Sequence, residues 1–208
     1  MDIQIKQATT DDISFLAKMI LKSSRAGKKR GFFDLVFTES SDEELLQKIE
    51  QLTQTSARSH CHYKNFLVAS IDGDYVGTLC SYEPRISKQE TFMAALEEIG
   101  CCEDDKVSVL DAYFNCSFEV RHSTLMFDFM EEMDGFVDVG VLKALMQKSL
   151  LTARLKGYRK AQTIIEIGSL EKEMFYKKLG FAFIEQKECE SYKEIFGRNG
   201  IMLFEIEF

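Results

Sequence analysis

The sequence predicts a single mixed α/β domain, an α+β fold in which a mostly antiparallel central sheet of about seven strands carries helices on both faces. Three observations predict it. Segments that alternate apolar and polar residues, the period of a half-buried strand, take turns with segments whose apolar residues recur every third or fourth position. Asp72-Gly73-Asp74 joins two strand-like runs as a tight hairpin. From Ser123 onward the chain reads strand, glycine-marked turn, helix, strand, helix, strand. Residues 1–208 form one unit, with a helical or irregular insertion at about 85–120.

Each element has a local cause. Ile3 to Gln7 alternates as a strand, and Thr9-Thr10-Asp11-Asp12 supplies oxygens to cap a helix carrying Ile13, Leu16, Ala17 and Ile20. Arg25 to Arg30 is a basic turn, and Gly31 to Phe37 an aromatic-rich connection. Ser40-Ser41-Asp42-Glu43-Glu44 caps a second helix, with Leu45, Leu46, Ile49 and Leu52 on one side. Polar residues from Thr53 to His60 predict a surface loop. Phe66 to Ser70 and Tyr75 to Tyr82 are the hairpin strands, and Pro84 ends the second.

Lys88 to Ile99 has helical spacing through Phe92, Ala95 and Leu96, with Gly100 as its stop. Asp104 to Glu119 is a further helix or an irregular lid. Ser123 to Met133 is a strand that places Leu125, Phe127 and Phe129 on one face. Val141 to Leu155 is an amphipathic helix ended by Lys156-Gly157. Ala161 to Ile167, Glu171 to Lys178 and Phe181 to Glu188 continue as strand, helix and strand. Asn199-Gly200 turns into a last strand, Ile201 to Phe208.

Bulk properties narrow the function. A net charge of −8 disfavours nucleic acid, which needs a basic face, and suits cationic partners such as amines. No run approaches the roughly 18 apolar residues of a membrane span. No basic segment followed by an apolar run marks a secretory signal. The 6 cysteines show no CxxC pair, and we expect reduced thiols in a cytoplasmic protein.

The run Glu166-Ile167-Gly168-Ser169-Leu170-Glu171-Lys172-Glu173-Met174-Phe175-Tyr176-Lys177-Lys178-Leu179-Gly180-Phe181 leaves a strand, forms a helix and re-enters a strand after a glycine. It resembles the signature of the GNAT superfamily of acyl-CoA-dependent N-acyltransferases. The hairpin from Phe66 to Tyr82 and the strand-cap-helix opening resemble that fold as well. The resemblance implies the GNAT fold, acetyl-CoA as acyl donor, an amine acceptor, and direct attack of the amine on the thioester in a ternary complex. It also allows a homodimer.

In that family a strand leads into Gln/Arg-x-x-Gly-x-Gly/Ala, where the amides of a helix start cradle the CoA pyrophosphate. The physics is general: a helix N-terminus offers unpaired N–H groups and partial positive charge. The matching stretch here is Val137-Asp138-Val139-Gly140-Val141-Leu142, in which only Gly140 keeps the pattern. Val137 replaces Arg or Gln, Leu142 replaces the second small residue, and Asp138 adds an unfavourable charge. The resemblance implies that Met133, Val139, Gly140, Val141, Leu142, Lys143, Ser169 and Tyr176 meet the donor.

Acyl transfer needs a base for the amine and an acid for the departing sulfur. The resemblance implies Tyr176 as the acid; packing beside Leu179 and Phe181 is its structural alternative. Asp128, Glu131 and Glu132 lie on the strand from which family bases come. Asp128 ranks first because it interrupts an apolar run, which raises a carboxyl pKa. Ser169 stands where relatives carry a CoA-contacting Asn, and as a helix cap it has a simpler role. His60-Cys61-His62 crowds its ligands too closely for a metal site, so none is expected. Lys28-Lys29-Arg30 offers charge for the CoA 3'-phosphate or is a solvated loop. Cys101-Cys102 reads as packing. Gly31 to Phe37 and residues 85–120 are expected to shape the acceptor pocket. The departures in the phosphate loop leave one rival from another class, a non-catalytic GNAT-fold module that binds a ligand or a protein.

Overall fold

The computed structural model describes residues 2–39, 41–85, 88–101, 107–120, 123–136 and 140–208. In chain order the elements are β1 (Ile3–Gln7), α1 (Ile13–Arg25), α2 (Phe32–Phe37), α3 (Asp42–Leu52), β2 (Phe66–Ile71), β3 (Asp74–Tyr82), α4 (Gln89–Glu98) and α5 (Val107–Asn115). There follow β4 (Thr124–Glu132), α6 (Val141–Leu155), β5 (Lys160–Glu166), α7 (Leu170–Lys178), β6 (Ala182–Glu188), α8 (Glu190–Phe196) and β7 (Gly200–Glu207). The strands make one 7-stranded sheet in the order β1-β2-β3-β4-β5-β7-β6. Only β4 and β5 run parallel. A parallel pair needs a long crossover, and α6 supplies it.

Both faces of the sheet are covered. On one, α1, α2, α3 and α4 bury Phe33, Phe37, Phe66, Phe92 and Phe129. On the other, α6 and α7 bury Leu79, Phe127, Leu145, Tyr176 and Phe204. Contact between α6 and β3 is close because Gly77 has no side chain: a Cβ there would lie 2.8 Å from Val141 Cγ1. A smaller cluster of Ala112, Cys116, Tyr192, Phe196 and Ile201 joins α5 to α8.

Several local expectations are corrected. Gly31 to Phe37 is a helix rather than a connection. Asp34 Oδ2 accepts the Gly31 N–H at 2.8 Å, and Arg25 clamps both Asp34 and Asp42. The segment Thr53 to His60 is a loop only partly at the surface: Gln54, Ser56 and Arg58 are exposed, while Thr53, Thr55 and Ser59 are buried. It is held by Thr55 Oγ1 on the carbonyls of Leu52 and Ala57, and by Glu98, which accepts the N–H groups of Ser56 and Ala57. Helix α8 has only 7 residues and had no recognisable period.

Phe129 does not share a face with Leu125 and Phe127. Asp128 to Glu131 on β4 spans one residue more than Thr78 to Cys80 on β3, a bulge centred on Phe129 at φ 43°. The extra residue turns Phe129 into the opposite core. The reduced-thiol expectation fails for one pair: Cys116 and Cys189, 73 residues apart, form a disulfide. It ties the end of α5 to the start of α8. Cys61, Cys80 and Cys101 are free and buried, and Cys102 lies outside the described residues.

Candidate active site

Strands β4 and β5 pair from Thr124↔Lys160 to Phe127↔Thr163 and no further. Beyond that point β4 follows β3 to Gly77↔Glu132, and β5 follows β7 to Glu166↔Ile201. The strands splay and leave a slot edged by main-chain polar groups, which need partners. Side-chain alternation gives the slot two distinct mouths.

On the α1 side lies a cavity of about 380 Å³. Its floor is Met126 to Phe129 and Ile164 to Glu166, and Ser169 and Lys172 of α7 close one end. The walls are Phe32, Phe33, His60, Tyr82, Phe92, Tyr113 and Phe114, with Cys116 to Phe118 after α5. Gly31 to Phe37 and the stretch after residue 85 thus do line this cavity. The rings touch in sequence. His60 lies 5.0 Å from Phe92, 5.5 Å from Tyr82 and 5.9 Å from Phe129, while Phe32 lies 4.3 Å from Tyr113.

Asp128 faces this cavity. Burial pushes its carboxyl up to about 6, against the Phe129 N–H, which donates to it at 2.7 Å, and the Lys172 charge. Glu131 pushes in the same direction as burial. At neutral pH Asp128 is a carboxylate close to its midpoint, the state a proton acceptor needs. Tyr82 and Tyr113 are pushed up by burial and by Asp128, so both keep their protons. Burial drops His60 to about 4, leaving a neutral ring.

Glu166 is the cavity's other acid. It accepts from Lys28 Nζ at 2.8 Å and Tyr192 Oη at 3.2 Å, with Arg198 Nε 3.6 Å away. Lys28 is therefore spent on Glu166 rather than left for a 3'-phosphate. Glu131 is 3.3 Å from Lys172, whose Nζ also donates to the Ser23 carbonyl at 3.2 Å. Glu131 is not among the cavity-lining residues.

Tyr176 lies on the opposite face of the sheet. It is buried beside Phe181, at 5.3 Å, in the α6-side core, and does not line the cavity. Its hydroxyl is in hydrogen-bonding reach of the Thr163 side chain, at the residue where strand pairing ends, and in electrostatic reach of Asp128 and Glu131. Burial pushes this phenol up, so it holds its proton firmly.

At the start of α6 the N-cap Gly140 has φ 87°, and among the described residues no side chain caps the helix, so a helix N-terminus with its unpaired amides lies there. A Cβ on Gly140 would meet nothing within 4 Å, so glycine is required by the left-handed backbone, not by space. Val141 and Leu142 turn their side chains into the core, while Lys143 is exposed. Val137 and Val139 lie outside the described residues. Met133 is committed: its N–H donates to Val76 O at 2.8 Å and its carbonyl accepts from Phe136 N at 3.1 Å. Only its side chain remains for a ligand. Ser169 holds the N-cap position of α7 as expected, but its hydroxyl makes no capping bond and is buried without a partner among the described residues, at the cavity's edge.

Sequence reasoning missed His60, Tyr82, Glu166 and Lys172 as cavity residues. Glu166 ends a strand and Tyr82 ends another, which was their one available signal.

By sequence the chain matches no family model and no curated protein. Solved structures match over the whole length. An N-acetyltransferase from Staphylococcus aureus Mu50 is 16% identical, with 98% of this chain and 100% of that one covered at TM-score 0.68. The Drosophila melanogaster polyamine N-acetyltransferase, which forms N-acetylagmatine, is 12% identical with 100% of both chains covered and TM-score 0.65. The PaiA N-acetyltransferase from Thermoplasma acidophilum, solved with coenzyme A, is 11% identical with 100% of both covered and TM-score 0.53. The chain has the GNAT fold in a divergent sequence.

Proposed function

We propose that the chain is an acyl-CoA-dependent N-acyltransferase, using acetyl-CoA and an amine in a ternary complex. The carrying observation is the β4–β5 slot. It sets a carboxylate at about 6, Asp128, on one side of the sheet and the Tyr176 hydroxyl on the other, where strand pairing ends. The open amides of α6 stand at the end of the loop leaving β4.

Acetyl-CoA, once bound, would supply the thioester. Val141, Leu142 and Lys143 would hold its pyrophosphate through their amides, with Gly140 setting the turn. Ser169 offers an unpartnered hydroxyl. An acceptor that arrives as an ammonium first gives one proton to water; as the neutral nitrogen then bonds the acyl carbon it becomes acidic, and Asp128 takes the second proton. The C–S bond breaks, and Tyr176 hydrogen-bonds the leaving sulfur. A tyrosine pushed above its usual value stabilises a thiolate better by that bond than by full proton transfer. Glu131, held by Lys172, orients that lysine and tunes Asp128 rather than acting as a second base.

A cytoplasmic setting suits an acetyl-CoA user, and there the Cys116–Cys189 pair would spend much of its time reduced. Among the described residues no helix is long and apolar enough to cross a membrane. A homodimer belongs to the same reading, since edge strand β6 and its neighbour α7 expose Ile184, Leu170 and Met174; light scattering giving only a monomer mass removes that part. The second reading, a non-catalytic binding module, draws on the side chains lost from the phosphate loop.

Thiol release from acetyl-CoA with a panel of amines separates the two. We expect amine-dependent release, with Tyr176→Phe lowering kcat about tenfold and leaving KM for acetyl-CoA nearly unchanged. Binding of acetyl-CoA with no release for any amine supports the module instead.

A further inference from the structure

The cavity on the Asp128 side has a composition that selects among amines. At about 380 Å³ it is near the small end of ligand pockets, which run roughly 300–1,000 Å³. Its walls are a continuous run of rings from Phe129 through His60 and Phe92 to Phe32 and Tyr113, with neighbouring centroids 4.3 to 6.0 Å apart. Such faces favour a flat or bulky apolar body and stabilise a cation beside it. His60, Tyr82 and Tyr113 add polar edges without adding charge at neutral pH.

The charges are more restrictive than the walls. The acids described in the lining are Asp128 and Glu166. Glu166 already holds Lys28 at 2.8 Å and has Arg198 3.6 Å away, so its charge is answered within the protein. Asp128 bears no ion pair among the described residues; its 2.7 Å bond is to the N–H of its neighbour Phe129. One carboxylate is thus free for one ammonium. Lys88 and Lys172, the latter partly answered by Glu131 at 3.3 Å, also lie in the lining and disfavour a second positive charge.

We propose that the acceptor is a primary monoamine carried on an aromatic body, with its nitrogen at Asp128 and its ring along Phe32, Phe92 and Tyr113. This rests on the transferase reading of the same site. A linear polyamine brings further ammonium groups that find no free acid and meet two lysines. An aromatic amino acid brings a carboxylate on the carbon bearing the amine, next to Asp128, where like charges repel. Both are therefore poorer acceptors than the decarboxylated arylalkylamine.

The test compares tryptamine, spermidine and tryptophan on the full chain. Thiol release with acetyl-CoA gives kcat/KM, and calorimetry without donor gives binding directly. We expect tryptamine to exceed each of the others by about tenfold or more in both measurements. Tyr113→Ala should raise the tryptamine KM about tenfold with kcat little changed. Phe32→Leu, a milder variant in case the first folds poorly, should shift it in the same direction. Acetyl-CoA binding should be the same in both variants. Spermidine or tryptophan matching tryptamine, or tryptamine failing to bind, overturns the proposal. Tryptamine that binds selectively without any thiol release keeps the cavity's ligand class and removes the transferase reading, so the two failures are distinguishable.

Discussion

The α6 corner and the aromatic cavity lie at two parts of the same β4–β5 slot, yet they are built from different parts of the chain. At the corner the side chains of Val141 and Leu142 face the core, and what points outward is main chain. In the cavity what points inward is rings and the charged side chains of Asp128, Glu166, Lys88 and Lys172, of which Asp128 bears no ion pair among the described residues. Amides are present whatever the residue, so under the proposed function the corner would tolerate Leu142 in place of the family's small residue. The cavity has no such tolerance, because its chemistry is carried by side chains. Side-chain identity is therefore a poor guide to the corner, whereas the cavity depends on side chains that the fold gathers from separate segments.

The comparison is most exposed at Asp128. Asp128→Asn should lower kcat/KM by about 10²–10⁴-fold while acetyl-CoA affinity stays as it was. The wild-type profile should fall as pH drops through about 6, where the carboxylate is protonated. Stability should move the other way. The folded pKa lies above the unfolded 3.8, so burying the ionised form costs stability above about pH 6 and nothing below about pH 4. Asp128→Asn should therefore stabilise the protein at pH 8, by on the order of 1–3 kcal/mol, with the gain vanishing in acid. Chemical denaturation at the two pH values reads it, and a loss of stability at pH 8 would contradict the burial argument.

Next in size is the Cys116–Cys189 bond. It closes a long loop and holds the α5 wall of the cavity against α8, remote from α6. Cys116→Ser, or reduction, should cost about 2–4 kcal/mol. It should loosen binding in the cavity and spare acetyl-CoA. Equal damage at both ends would mean that the corner and cavity are not independently built.

Much of this layout was legible in the chain. The hairpin at Asp72-Gly73-Asp74, the period of α6, and Asp128 inside an apolar run are local signals, and local physics fixed them. What stayed hidden depends on partners distant in sequence. Phe129 changes face because β3 leaves an extra residue unpaired, which no alternation reveals. Thr53, Thr55 and Ser59 are polar yet buried in a segment that Glu98, distant in sequence, helps to hold through the amides of Ser56 and Ala57. The disulfide joins cysteines 73 residues apart, and the rings of His60, Tyr82 and Tyr113 come from three separate segments. Ser169 holds the cap position, but its hydroxyl makes no capping bond and is buried against the cavity instead.

The most direct test is a calorimetric titration of acetyl-CoA into the wild type, Lys143→Ala and Gly140→Val. Lys143→Ala keeps its amide and removes an exposed side chain. Gly140→Val forces a branched residue into a left-handed backbone at φ 87°, which costs at least about 1–2 kcal/mol and moves the helix start. The account predicts saturable binding at one site per chain, changed less than about threefold by Lys143→Ala and lowered about tenfold or more by Gly140→Val. No binding to the wild type at millimolar donor, or loss with the lysine variant and not the glycine one, would contradict it.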